Sequence, residues 1–336
     1  MFFSVEKYSL IVDVGGTKSV FAIMDSKDNI VLKKVYISSE IKHFTDTLRE
    51  FMHLPECKKY ALKQACMAIA GPVNGQRDYA RPTNLEWTVD KQSILVRTAL
   101  KKVVLLNDFE ALGFYVDKLR PEQYIELTGI GFNNKDTIAI IGAGTGLGIS
   151  IVPGVYGRHM PLPSEGGHID LPIISKDNID MKLQSYLIQK RLYHDVEDVV
   201  SGRGIVNIYN FLLTQKIRHN KKIASIIKHE NDKDKPAYIT KYALEDKDAL
   251  CIRTLELFIK YYARVSRNLA LTTLCSQLVL AGGIAPKIVS ALQDVFVEEF
   301  VQHDNDNIRK ILEQIPIIVI TDQNITLQGA MSALKI

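Results

Sequence analysis

Two glycine-rich turns, each closing an apolar run, constrain this chain more than any other feature. Ser9-Leu10-Ile11-Val12-Asp13-Val14 runs into Gly15-Gly16-Thr17, and an apolar stretch at 137–141 runs into Gly142-Ala143-Gly144-Thr145-Gly146-Leu147-Gly148. A second apolar run follows each at once, at 20–24 and at 147–152, so both turns read as the bends of hairpins. After the first come a strand at 30–37 beyond the turn Ser26-Lys27-Asp28-Asn29, a helix carrying Phe44, Leu48, Phe51 and Met52, and a strand at 65–70. A helix at 91–100, a strand at 103–106 and a helix from Asn107-Asp108 complete the series. After the second hairpin the order recurs: a short third strand near Val155, a helical block over 180–275, a strand at 277–281, a helix at 286–300, a strand at 315–320 and a last helix from Thr326. The chain is therefore expected to be α/β, with two related halves that each run βββαβαβα.

Composition narrows the function. The 336 residues suggest two domains at ~150 residues each, and 46% hydrophobic residues are enough to bury two cores. Lysine and arginine exceed the acids by 42 − 38, a net charge of +4, with no basic stretch interleaved with aromatics. That weak field argues against nucleic acid as a partner. Cys57, Cys66, Cys251 and Cys275 are widely spaced, which suits a reducing compartment, and the cytoplasm is the expected location. Residues 137–157 carry no charge, nearly the ~20 residues a bilayer needs, but Gly142, Gly144, Gly146, Gly148 and Gly154, with Pro153, spoil a helix there. No membrane association is expected. The mixed-sign segment 216–235 reads as a solvated loop.

Several positions can carry chemistry. In Asp13-Val14-Gly15-Gly16-Thr17 the glycines let backbone amides approach an anion, and Thr17 adds a hydroxyl. Asp13 either holds a magnesium ion through water or caps a tight turn. Gly142 to Gly148 offers a hairpin face of bare backbone, suited to a triphosphate, and Ala281-Gly282-Gly283-Ile284 precedes a helix whose N-terminus attracts phosphate. Asn107-Asp108 either caps a helix or places a carboxylate where open α/β sheets bind ligands. Ser164-Glu165-Gly166-Gly167-His168 can serve vicinal hydroxyls as acceptor and donor together. Glu197 is a further carboxylate, outside a helix, with Ser201 as N-cap of the helix that follows. Asn84-Leu85-Glu86-Trp87 holds the single tryptophan, read as a hydrophobic anchor rather than a sugar-stacking lid. The remaining histidines, His43, His53, His159, His194, His219, His229 and His303, read as structural or solvated.

Taken together and in this order, these motifs resemble the bacterial glucokinases, the hexokinase-like branch of the sugar kinase, Hsp70 and actin superfamily. The resemblance spans nearly the whole chain. It implies a two-lobed, ribonuclease H-like (actin-like ATPase) fold with an interdomain cleft, a small domain of residues 1–110 plus 321–336 and a large one of 111–320. It further implies ATP-dependent phosphorylation of D-glucose at the 6-hydroxyl, with ATP and Mg2+ as cofactors and a homodimeric assembly. By the same resemblance Asp108 is the catalytic base, and Asn84, Asn107, Glu165, His168 and Glu197 hold the sugar. Asp13, Val14, Gly15, Gly16, Thr17, Gly142, Gly144, Thr145 and Gly146 handle the ATP phosphates, with Gly282 and Gly283 near the nucleoside and Asp13 toward the metal. Lys18 stands where these enzymes often have Asn, Arg203 where they often have Pro, and Gly71 where some have Cys. Ile169-Asp170-Leu171-Pro172 replaces the zinc-binding cysteine cluster of the related repressor-type kinases. The alternatives are a kinase for mannose or N-acetylglucosamine, and a sugar-responsive regulator, for which the roughly seven residues ahead of the first strand are too few to form a helix-turn-helix.

Overall fold

Alternation within the first strands decides how the first sheet is covered. The computed structural model describes residues 7–172, 178–190, 195–215 and 217–336. They form two compact units: Met1–Arg120 with Arg158–Pro163 and Asp322–Ile336, and Pro121–Gly157 with Ser164–Thr321.

The first unit is a five-stranded sheet of order β3-β2-β1-β4-β5. Its strands are β1 (Tyr8–Val14), β2 (Lys18–Asp25), β3 (Ile30–Ile37), β4 (Gln64–Ile69) and β5 (Lys102–Asn107). β1, β4 and β5 are parallel, whereas β2 and β3 return antiparallel. Leu10, Val12 and Val14 point to one face, where they pack with Phe44, Leu48 and Phe51 of α1 (Phe44–His53) and Ile94 of α2 (Lys91–Arg97). Ile11, Cys66, Ala68 and Leu106 point to the other, against Ala111 of α3 (Asp108–Gly113) and Leu327, Ala330 and Met331 of the C-terminal helix Ile325–Leu334. Burial on both faces explains why these strands are continuously apolar. Trp87 is 7% exposed and stacks on Phe44 with ring centroids 5.4 Å apart, which makes it an anchor of this core.

The second unit repeats the plan with one change. Its sheet has the order β8-β7-β9-β10-β6, from β6 (Tyr124–Glu126), β7 (Ile138–Ala143), β8 (Leu147–Val152), β9 (Gln277–Ala281) and β10 (Ile317–Ile320). β8, β7, β9 and β10 match β2, β1, β4 and β5 in order and direction. The third strand expected near Val155 does not join this sheet. Gly154–Val155 is a two-residue strand elsewhere, and β6 extends the opposite edge instead, antiparallel to β10. Three residues at 124–126 are too few to show alternation, so β6 had no sequence signal.

The helical block at 180–275 resolves into α4 (Ile179–Lys190), α5 (Gly202–Thr214), α6 (Lys221–His229), α7 (Lys235–Leu244) and α8 (Ala249–Thr273). The expectation of a solvated loop over 216–235 is corrected by α6. Asn220 caps it, and Ile227 is buried with Ile223 packed beside it, so a narrow apolar stripe outweighs the charged face. Lys216 lies outside the described residues, as does His194. The helix expected at 286–300 is broken into a 3-10 turn, a short α segment, a π turn at Leu292–Phe296 and a final α turn, and α9 (Asp306–Glu313) follows it. Among the described residues, no helix is long and apolar enough to cross a membrane.

Candidate active site

In the first unit the register of the parallel strands gathers the candidate residues. Val14 pairs with Ile69 and Ile69 with Asn107, so the carboxyl ends of β1, β4 and β5 finish side by side. That edge is where open α/β sheets bind ligands. The Gly15-Gly16 turn is closed by the Gly15 N–H donating to the Lys18 carbonyl at 3.0 Å. The Asn107 side-chain amide donates to the Gly71 carbonyl at 3.3 Å, tying the end of β5 to the turn after β4. Thr83 donates its N–H to the Ala70 carbonyl at 2.9 Å, which brings the 84–87 loop to the same edge. Asn84, in the left-handed region at φ 62°, is exposed there. Thr17 is exposed at the tip of the first hairpin.

Asn107 and Asp108 take different positions at the start of α3. The Asn107 Oδ1 accepts the N–H groups of Phe109 at 2.9 Å and Glu110 at 3.3 Å, so Asn107 is the N-cap of α3. Asp108 is therefore not the N-cap, although its own Oδ1 also accepts the Phe109 N–H at 3.0 Å. It occupies the first helical position, partly buried, where the helix N-terminus favours its negative charge. Asp13, on β1 between Val20 and Ala68, is partly buried; burial pushes its carboxyl up to about 6, against a smaller pull downward from Lys33.

The second unit assembles the other candidates around its own glycine turn. The Gly144 N–H donates to the Gly146 carbonyl at 2.8 Å, leaving Thr145 exposed at the tip. Gly142 pairs with Ala281 across β7 and β9, and the Ile284 N–H donates to the Ala143 carbonyl at 3.2 Å, so Gly282 and Gly283 lie against this turn. Gly282 has φ 80°, and a Cβ there would run into the Ala143 carbonyl. Glu197 lies in a 3-10 turn, Val196–Asp198, rather than outside helical structure, and its Oε2 accepts the Leu147 N–H at 2.9 Å. Ser201 caps α5 by accepting the Gly204 N–H at 3.0 Å.

Glu165 precedes the 3-10 turn Gly166–His168, and His168 ends it. The His168 Nδ1 lies 2.7 Å from the Asp195 Oδ2, and this hydrogen bond is the main cause that raises the imidazole's pKa; Glu197, Asp195 and Glu165 add to it against desolvation. Desolvation raises Glu165, opposed by His168 and helped by Glu197, so the three candidates feel one another's charge. Asp195 is a neighbour of these candidates that sequence reading missed. Its only sequence signal was a capping box, Asp195 with Asp198, which looks purely structural.

A duplicated α/β frame, with a glycine hairpin opening each sheet and carboxylates at the strand ends, is the frame of the actin-like sugar kinases. A profile described as Glucokinase matches residues 10–336. The chain belongs to the glucokinase family. It is 34% identical over 339 residues to a glucokinase of Nostoc punctiforme, covering 95% of this chain and 96% of the relative. Among solved structures it is similar to a glucokinase from an Antarctic psychrotroph, at 26% identity and a TM-score of 0.76, with 98% of this chain and 99% of that one covered. It also shares its fold with a Balamuthia mandrillaris glucokinase solved with glucose, at 20% identity, a TM-score of 0.81 and coverage of 98% and 94%.

Proposed function

We propose that this chain transfers the γ-phosphoryl group of ATP to the 6-hydroxyl of D-glucose, with Asp108 as the base. The observation that carries the assignment is the place of Asp108, a partly buried carboxylate directly after the carboxyl end of β5, where Asn107 is the helix N-cap. In the transfer the sugar oxygen bonds to the γ-phosphorus, the bond to the β–γ bridging oxygen breaks, and the hydroxyl proton passes to the Asp108 carboxylate as ADP leaves. In a loose transition state that proton leaves late, so holding the hydroxyl in place matters more than basicity. Glu165, His168 and Glu197 bind and orient the sugar hydroxyls together with Asn84 and Asn107. The backbone amides of 13–17 and 142–146 hold the phosphates, and Gly282-Gly283 give the nucleoside a flat approach.

Asp13 fits a magnesium site, because a partly buried carboxylate raised to about 6 with only Lys33 to offset it gains from a nearby cation. Among the described residues no three acidic, His or Cys side chains converge, so Asp13 would hold the ion mainly through its water shell. Bound there, Mg2+ would offset charge on the phosphate oxygens. We further expect a cytoplasmic homodimer, which sedimentation of the purified chain measures.

The test is Asp108→Ala. Turnover of glucose and ATP should fall ~100-fold or more in a protein that still melts cooperatively. Turnover near the parental rate would remove Asp108 from its role. Comparing kcat/KM for glucose, mannose and N-acetylglucosamine checks the sugar, and glucose should lead.

A further inference from the structure

Arg203, at the second position of α5, stands beside the glycine turn without belonging to it. One guanidinium nitrogen, Nη2, lies 3.2 Å from the Glu197 Oε1 and 3.1 Å from the Asp198 Oδ1. The other Glu197 oxygen, Oε2, accepts the Leu147 N–H at 2.9 Å, and lies 2.5 Å from where a Cβ on Gly146 would stand. The residue before Arg203 completes a circuit, since the Gly202 N–H donates to the Gly144 carbonyl at 2.8 Å. Hydrogen bonds therefore run from Gly144 to the start of α5, through Arg203 to Glu197, and back to the turn at Leu147. Both oxygens of Glu197 are pinned, yet a carboxylate has about four acceptor sites and keeps lone pairs for hydroxyls.

We infer that Arg203 is a positioning residue: it fixes Glu197 against the 144–147 turn, so that sugar held by Glu197 changes the affinity of the turn for nucleotide phosphate. The inference rests on the reading of Glu197 as a sugar ligand and of the turn as a phosphate loop. Without the guanidinium, Oε1 loses its charge-assisted partner, and repulsion from Glu165 is free to swing the carboxylate away. With it, engaging Glu197 pulls on a main-chain N–H of the turn.

Glucose KM and kcat, and the Kd of a non-hydrolysable ATP analogue with and without glucose, should be measured for Arg203→Ala, Arg203→Lys and Glu197→Gln. Arg203→Ala should raise glucose KM roughly 10-fold with kcat within about 2-fold, the pattern of lost ground-state binding. The factor by which glucose tightens the analogue, about 5-fold or more in the parent, should fall toward one. Arg203→Lys, which keeps the charge, should recover most of both and separates positioning from misfolding. If Glu197→Gln raises glucose KM while Arg203→Ala changes neither KM nor the glucose effect on the analogue, Arg203 positions nothing. If Glu197→Gln itself leaves glucose KM unchanged, the sugar role of Glu197 fails and the inference falls with it.

Discussion

The indole Nε1 of Trp87 donates to the main-chain carbonyl of Ser38 at 3.0 Å, and the hydroxyl of that serine donates to the Gly15 carbonyl at 2.7 Å. The Ser38 N–H also donates to the Thr17 carbonyl at 3.0 Å, so one fully buried residue after β3 fastens the first glycine turn to the 84–87 loop. Ser38→Ala leaves the Gly15 carbonyl and the Ser19 hydroxyl without this partner, which should cost about 1–2 kcal/mol in urea unfolding. KM for ATP should rise more than kcat falls. Because Trp87 is the single tryptophan, its emission follows the same brace directly. Unchanged unfolding and unchanged emission would mean that the brace carries no load.

Asp13 should make stability depend on pH in a defined window. Its folded value of about 6 lies above the ordinary 3.8, so between these values the folded protein holds a proton that the unfolded chain has lost. Stability from this group is full below 3.8 and is lost as pH rises through about 6. Asp13→Asn removes that slope. The variant should be more stable than the parent at neutral pH, by at most about 3 kcal/mol, and equal to it in acid. Its activity with Mg-ATP should fall, because the carboxylate proposed to hold the ion is gone. Parallel stability curves for parent and variant would show that burial does not burden Asp13.

His168 gives the same sign in a higher pH window. Its hydrogen bond to Asp195 raises the imidazole above 6.5, so its contribution is present below 6.5 and disappears as pH rises through the higher folded value. Asp195→Asn keeps an oxygen that can accept the Asp198 N–H of the cap but withdraws the charge beside His168. The His168 titration, followed by NMR, should move to lower pH, and glucose KM should rise at neutral pH. A His168 titration unmoved by the substitution would leave the pair without electrostatic meaning.

Legibility in the sequence followed the reach of each signal. The strands β1, β4, β7 and β9 were readable because they are apolar runs ended by glycine, and both glycine hairpins fell where such runs stop. β6 and α6 were not readable. One is too short for any period, and the other buries essentially one isoleucine under a charged exterior. The candidate site divides along the same line. Asp108, Glu165, His168 and Glu197 stand in motifs whose glycines and carboxylates mark them locally. Ser38, Asp195 and Arg203 act through hydrogen bonds to residues brought near by the fold, and a serine between a strand and a helix carries no mark of what it will meet.

Helix packing behind α3 provides a test of how tightly Asp108 is held. Gly329, on the C-terminal helix, faces α3 so closely that a Cβ would run into the Ala111 carbonyl and approach the Leu112 Cα at 3.2 Å. Gly329→Ala must therefore push α3 outward or strain it, at a cost of about 1–3 kcal/mol. Asp108 begins that helix, and a shift of ~1 Å at a reacting group can cost up to about 100-fold in rate. If Asp108 is the base as proposed, the variant should lose kcat roughly 10-fold or more although residue 329 lies on a different helix. Gly75→Ala, where a Cβ meets nothing within 4 Å, is the matched control and should leave kcat unchanged. Thermal unfolding and steady-state kinetics of the two variants decide the matter. Loss of stability in Gly329→Ala with full kcat would show that α3 can move without carrying its carboxylate off target.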